Sequence, residues 1–325
     1  MALTEAFVDA HIARWQRTLA SPNYSYRRHW PECLFHHAPL ENALSILRTG
    51  MLRSRNDPDN SHPRDVAAQN VVEAREHAHD RVRLYFRPNT PTQYHIEGIR
   101  KPGECHFGDR AHAPVLVMFV LDAKRILTLP DIQFCDRNMQ RADAMPDDSE
   151  AYFSSIPFDN VFHEGPHQND MITAHRCAEV LPSSPLPLDH CIRAIYFRSE
   201  PERDTLLHLL GNDRQRWPNR FLIPDALKTF QKRHSFVQDI GLTPEGIFFL
   251  LNPRHDRHGV DIRITVNDLV GNSVAQFHSA NLPAAPPQGR WIYRHAFDAG
   301  VFVVRVEIDE HLAYHAPISL ADSLF

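Results

Sequence analysis

The run Val115-Leu116-Val117-Met118-Phe119-Val120-Leu121 decides the fold class. An unbroken apolar run of this length is short for a buried helix and shows no polar alternation, so it predicts a strand at the centre of a sheet, covered on both faces. Such a strand needs partners. Cys33-Leu34-Phe35-His36-His37 reads as a short strand ending on two histidines, Arg83-Leu84-Tyr85-Phe86 as a second closed by Pro88, and residues 192–197 as a third. Helical segments separate them. Leu40, Ala43, Leu44 and Leu47 share one helical face with Gly50 as the stop, and residues 202–210 form another helix ended by Gly211. Residues 66–78 are also helical, with Arg75 near the end, where a solvated arginine beside the helix dipole is the plain reading. Strands, helices and long loops up to about residue 230 predict a mixed α+β domain.

The two ends of the chain differ from this middle. Residues 1–20 place Phe7, Val8, Ile12, Trp15 and Leu19 at helical spacing behind a capping Thr4, an amphipathic helix and not a signal peptide. From Ser235 onward, short strands follow at regular spacing: 235–241, 246–251, 260–266, 274–278, 290–296, 301–308 and 313–320. Alternation in 261–266 and 302–306 fits an immunoglobulin-like sandwich. The expected organisation is therefore 1–232, with a helical extension over 1–30, followed by an all-β domain over 233–325. Residues 131–170, rich in Asp, Asn, Pro and His, read as a long loop region with room for short helices.

Composition narrows the function. The chain has 325 residues, 42% hydrophobic and 23% charged, and no window approaches the roughly 20 apolar residues of a membrane span. Cysteines 33, 105, 135, 177 and 191 are scattered and odd in number, which fits reduced thiols in a cytoplasmic protein. A net charge of -5 argues against indiscriminate binding of nucleic acid but leaves room for a local basic groove. Arginines 48, 53, 55, 64, 75, 81, 83 and 87 crowd one stretch, a pattern open equally to phosphate binding and to compositional bias. The 22 histidines lack ligand spacing: His36 and His37 diverge on a strand, His77 and His79 on a helix, and Gly165-Pro166 breaks the path between His163 and His167. No metal is expected. The glycine-rich dinucleotide and NTP loops and the serine-hydrolase elbow are absent too.

One acidic residue stands out against this background. In His175-Arg176-Cys177-Ala178-Glu179-Val180-Leu181, read as a strand, alternation sets Cys177 and Glu179 on one face and Ala178 and Val180 on the other. A carboxylate there must be hydrogen-bonded, paired or used in chemistry. Taken alone, such a glutamate is more often an edge-strand residue or half of an ion pair.

Its company changes that weighting. Phe35-His36-His37-Ala38-Pro39-Leu40-Glu41-Asn42-Ala43-Leu44-Ser45-Ile46-Leu47-Arg48-Thr49-Gly50, then Glu73-Ala74-Arg75, then Tyr85 to Tyr94 with Pro88 and Pro91, then Ala178-Glu179-Val180-Leu181 follow in order. Together they resemble the DarT family of NAD-dependent ADP-ribosyltransferases, which act on bases of single-stranded DNA. Ala38 departs from the pattern, where the family has a hydroxyl. The resemblance covers about residues 33–200 and implies an ADP-ribosyltransferase-like mixed sheet with NAD+ as substrate. It also implies Glu179 as the carboxylate that stabilises an oxocarbenium-like transition state, and Arg75 as a contact to the diphosphate or the acceptor base. His36 and Asn42 would line the NAD+ pocket, with Leu44, Tyr85, Phe86 and Tyr94 among the cofactor contacts. The partners implied are single-stranded DNA or RNA and an antitoxin such as a macrodomain-type ADP-ribosyl hydrolase. A protein-directed transferase and an inactive binding module of the same fold are the competing readings, the latter on account of Ala38.

Overall fold

The computed structural model describes residues 2–61, 64, 66, 79–101, 103–105, 108, 111–224, 227–256, 258–283, 286 and 289–321. In the first part of the chain the strands are β1 (Cys33–Pro39), β2 (Met51–Leu52), β3 (Leu84–Tyr85), β4 (Leu116–Asp122), β5 (Gln133–Cys135), β6 (Glu179–Leu181), β7 (Leu186–Pro187), β8 (Ile192–Tyr196) and β9 (Phe221–Leu222). Seven of them form one sheet in the order β5-β6-β3-β1-β4-β8-β9, while β2 pairs with β7 apart from it. All neighbours in the large sheet are antiparallel except β8 and β9. The apolar run 115–121 supplies β4, which pairs along its length with β1 from Cys33 opposite Asp122 to Pro39 opposite Leu116. Its residues from Leu116 to Leu121 are all buried, as a strand covered on both faces requires.

Local signals set the helices. Thr4 caps the helix Glu5–Thr18 by accepting from the Phe7 N–H, and Gly50 closes Leu40–Thr49 in the left-handed conformation at φ 73°. One segment folds differently from its sequence reading, and the long loop region gains a strand beside the short helices it had room for. The stretch 175–181 is not one strand: helix Asp170–His175 runs into it, the Ala178 N–H bonds back to the His175 carbonyl, and pairing starts only at Glu179. Region 131–170 carries β5 and the helices Glu150–Ser155 and Phe158–Val161. Aromatic packing holds it in place. Phe153 and Phe158 meet Phe86 at ring-centroid distances of 6.0 and 5.1 Å, and Trp15 of the first helix packs on Phe158 and Phe162.

After residue 236 the chain is rich in strands: β10 (Val237–Thr243), β11 (Gly246–Leu251), β12 (Val260–Asn267), β13 (Ser273–Leu282), β14 (Trp291–Arg294), β15 (Gly300–Ile308) and β16 (His311–Leu320). They make two sheets, β10-β11-β14 and β13-β12-β15-β16. Val237, Ile247 and Phe249 of one and Ile262, Ile264, Val304 and Val306 of the other share a single apolar core, distinct from that of the seven-stranded sheet. No helix among the described residues is long and apolar enough to cross a membrane.

The helix Glu200–Leu210 fastens the two parts together. Its Thr205 hydroxyl accepts from the His315 N–H at 3.0 Å, and the Ser199 hydroxyl at its cap donates to the Val237 carbonyl at 2.7 Å. Beneath this contact Arg198 and Glu202 form a fully buried ion pair, with Nε 3.0 Å from both carboxylate oxygens. The guanidinium also donates to the Pro114 carbonyl and lies 4.7 Å over the Phe236 ring. Removing one partner of such a pair strands the other charge away from water. Glu202→Ala is therefore expected to cost about 3–5 kcal/mol of unfolding free energy in urea titration. The exposed pair of Arg203 with Glu200, broken by Glu200→Ala, should cost less than about 1 kcal/mol. Equal losses would show that the buried pair is not the fastening.

Candidate active site

Register brings the site together. Tyr85 on β3 lies opposite Phe35 on one side and Glu179 on the other, and Glu179 in turn lies opposite Cys135. Glu179 has no solvent exposure. Its Oε2 accepts the Met139 N–H at 3.0 Å, whereas Oε1 has no hydrogen-bond partner among the described residues. Burial pushes its carboxyl above the usual carboxylate range, against the opposing pull of the Arg83 charge, the Met139 N–H and the Tyr85 hydroxyl. Burial, with the charge of Glu179 second, raises the Tyr85 hydroxyl and keeps it protonated.

Beside this carboxylate opens a cleft of about 250 Å³. Tyr85, Arg83 and Gln140 belong to its wall; Glu179 does not, and joins it through its pairing with Tyr85. His36 is in the wall too, with Nδ1 3.0 Å from the Arg83 carbonyl. Burial lowers its pKa below the ordinary histidine value, so it presents an uncharged imidazole. His37 stacks on the Tyr85 ring, centroids 5.3 Å apart and planes 6° from parallel, and burial, with His36 second, lowers it to about 3. Asn42 pins the opposite rim: its amide donates to the Arg64 carbonyl at 2.9 Å and accepts the Arg64 N–H at 2.8 Å. Ala38 contributes only a methyl group to the wall.

The cleft is cationic. Arginines 53, 55, 64, 81 and 83 all line it, with Asp59 the acidic residue among them. Arg53 pairs with Asp57 at 2.8 Å and Asp59 at 3.3 Å, and Arg64 with Glu41 at 3.2 Å. Arg81 donates to the Asp131 and Leu181 carbonyls at 2.5 and 3.1 Å, which ties the rim to β6. Guanidinium groups held by backbone and neighbouring carboxylates suit a diphosphate, which accepts bidentate bonds.

Of the residues singled out in the sequence, Glu179, His36, Asn42 and Tyr85 come together here. Leu44 faces the apolar core, with Ala43 and Leu47 beside it. Phe86 lies just past the end of β3 and packs into the Phe153 and Phe158 cluster instead. Tyr94 is 39% exposed on the helix Pro91–Ile96, away from the cleft. Arg75, with most of its predicted helix, lies outside the described residues. Arg53, Arg81, Arg83, His37 and Gln140 line the cleft without having been assigned a role. The crowding of arginines between 48 and 87 was the signal for three of them.

A mixed sheet with a buried carboxyl near a cationic cleft has the features of a transferase that takes a phosphorylated donor. A family model described as "ssDNA thymidine ADP-ribosyltransferase, DarT" matches residues 35–223, more than half of the sequence, and the chain belongs to that family. It is an NAD+-dependent enzyme that moves ADP-ribose to a base of single-stranded DNA. Among solved structures, the chain is similar to Thermus sp. 2.9 DarT in complex with ADP-ribosylated ssDNA, at 20% identity over 61% of this chain and 96% of that one, with a TM-score of 0.50. Thermus sp. 2.9 DarT in complex with carba-NAD+ follows at 20% identity, 61% and 97% coverage and a TM-score of 0.48. Thermosipho africanus DarTG in complex with ADP-ribose matches at 18% identity, covering 68% of this chain and 55% of that one, with a TM-score of 0.48. The first likeness agrees with the fold of residues 35–223. No curated protein matches the chain.

The raised carboxyl of Glu179 has a signature in stability. In the unfolded chain it ionises near 4.5, in the folded protein higher, so the folded state holds its proton more tightly. The sign follows. Between these two values, rising pH costs the native protein stability, and the loss is complete above the folded value. Glu179→Gln removes this term, so its unfolding free energy relative to the native protein should rise from pH 4 to pH 8. Parallel profiles in urea titrations across that range would show that the carboxyl is not perturbed.

Proposed function

We propose that the acceptor base is thymidine and that Glu179 is the catalytic carboxylate. One observation carries the assignment: a fully buried carboxyl, one oxygen of which has no hydrogen-bond partner among the described residues, near an arginine-lined cleft. Burying such an oxygen costs the resting protein stability, and a role in the reaction gives a reason to keep it. Glu179 supplies negative charge where the ribose anomeric carbon becomes cationic, in a site where water does not screen it. Arginines 53, 81 and 83 fit the diphosphate of NAD+, while His36 and Asn42 fit a ribose or the carboxamide, by the donors and acceptors they offer. Tyr85, a protonated hydroxyl beside Glu179, fits a positioning role toward that carboxylate. Arg75 is assigned to the diphosphate or the acceptor. The acceptor base has to be unpaired to reach the anomeric carbon.

The remaining parts of the chain fit an effector. Sheets ordered β10-β11-β14 and β13-β12-β15-β16 around one core have the arrangement of an immunoglobulin-like sandwich, appended over 233–325 to a transferase unit over 1–232. Five free cysteines suit a reducing cytoplasm. A transferase that modifies DNA bases acts as a toxin, and its natural antidote is a hydrolase that removes ADP-ribose, of the macrodomain type.

The test is incubation of the full chain with labelled NAD+ and a thymidine-containing oligonucleotide, followed by mass spectrometry of the released nucleosides. Label is expected on thymidine. Glu179→Ala should slow transfer by roughly 10²-fold or more, and His36→Ala should raise KM for NAD+. Equal rates for the native protein and Glu179→Ala would remove Glu179 from catalysis, and label on another base would reassign the acceptor.

A further inference from the structure

We propose that Tyr94 and Arg233 form a base-stacking subsite through which the segment joining the two parts of the chain guides single-stranded DNA to Glu179. Tyr94, placed by its sequence among NAD+ contacts, faces solvent instead, and the Arg233 guanidinium lies 5.1 Å from its ring centroid. An open aromatic face beside an arginine is the combination on which single-stranded bases stack, since every base has a π face and every step carries a phosphate.

The arrangement is built, not incidental. Residues 227–234 carry Lys228, Lys232 and Arg233 and no carboxylate. Glu97, at the end of the helix that bears Tyr94, is almost completely buried. It accepts the N–H groups of Gln231 and Lys232 at 2.9 and 2.8 Å and the Gln93 amide at 2.9 Å. From the other side the Asn252 amide of the C-terminal region donates to the Lys232 and His234 carbonyls at 2.9 and 3.0 Å, and the His255 N–H donates to the Arg233 carbonyl at 2.8 Å. Lys232 is held at φ 51°, a left-handed conformation that a lysine adopts only at a cost in strain. A buried carboxylate, a strained residue and an amide clamp thus fix Arg233 beside Tyr94.

The helix that bears Tyr94 also touches the loop bonded to Glu179, through its opposite face. Thr92, two residues before Tyr94, accepts from the Asn138 amide at 3.5 Å and lies 3.8 Å from the Cys177 thiol. Met139, which follows Asn138, bonds Glu179 through its N–H. In the proposed path a strand lying on Tyr94 and Arg233 passes around this short helix to the loop that bonds Glu179, whose Gln140 stands in the wall of the cleft.

This inference rests on the proposed transfer to single-stranded DNA, and its test separates the two. Binding of a short fluorescein-labelled oligothymidylate to the full chain is followed by anisotropy, and transfer kinetics are measured with the same oligonucleotide. Tyr94→Ala and Arg233→Ala are each expected to weaken binding roughly ten-fold and to raise KM for DNA, leaving kcat and KM for NAD+ unchanged. Tyr94→Phe keeps the stack and should bind like the native protein, and thermal unfolding midpoints show that each variant is folded. Native affinity in both alanine variants overturns the subsite, as does a native protein that binds no oligonucleotide. If the native protein binds through these residues yet transfers nothing, the transfer reading falls and the subsite stands.

Discussion

The site depends on one imbalance, a fully buried carboxyl that is only partly hydrogen-bonded among the described residues. Glu179 accepts the Met139 N–H on one oxygen, and the other has no hydrogen-bond partner among the described residues. The surrounding structure maintains that state. β3 and β5 flank it on either side, with Tyr85 directly opposite, and Arg81 ties the cleft rim to the carbonyl of Leu181 on the same strand. A solvated glutamate in this place would be a weaker electrostatic partner, because water would answer the charge that the reaction develops.

The arginines complement that carboxylate. They gather on segments between residues 53 and 83, and backbone carbonyls or local acids hold several of them. Arg87, from the same crowded stretch, does something else: it is buried, pairs with Glu164 and lies 4.7 Å over the Trp30 ring. Equal residue types a few positions apart thus serve a nucleotide cleft and a structural ion pair, and only the path of the chain separates them.

Much of this was legible in the sequence because it is local. The Thr4 cap, the Gly50 stop, the apolar 115–121 run and the alternating strands after residue 235 each follow from a few adjacent residues. Glu179 stood out as a charge in an apolar run, and its ordered neighbours pointed to the family. What could not be read depends on distant pairing. Nothing near Phe86 says that Phe153 and Phe158 will cover it, and nothing near Tyr94 announces Arg233. The turn at residues 176–178 was hidden by apolar character shared between a helix end and a strand start.

The strand order has a consequence for synthesis of the protein. His36 lies on β1, near the start of the chain, whereas β6 slots between β3 and β5 and brings Glu179. A ribosome releases the arginines and histidines of the cleft well before the carboxylate, at about 5–20 residues per second. The nascent chain therefore cannot complete one side of its large sheet, β5-β6-β3, until β6 emerges.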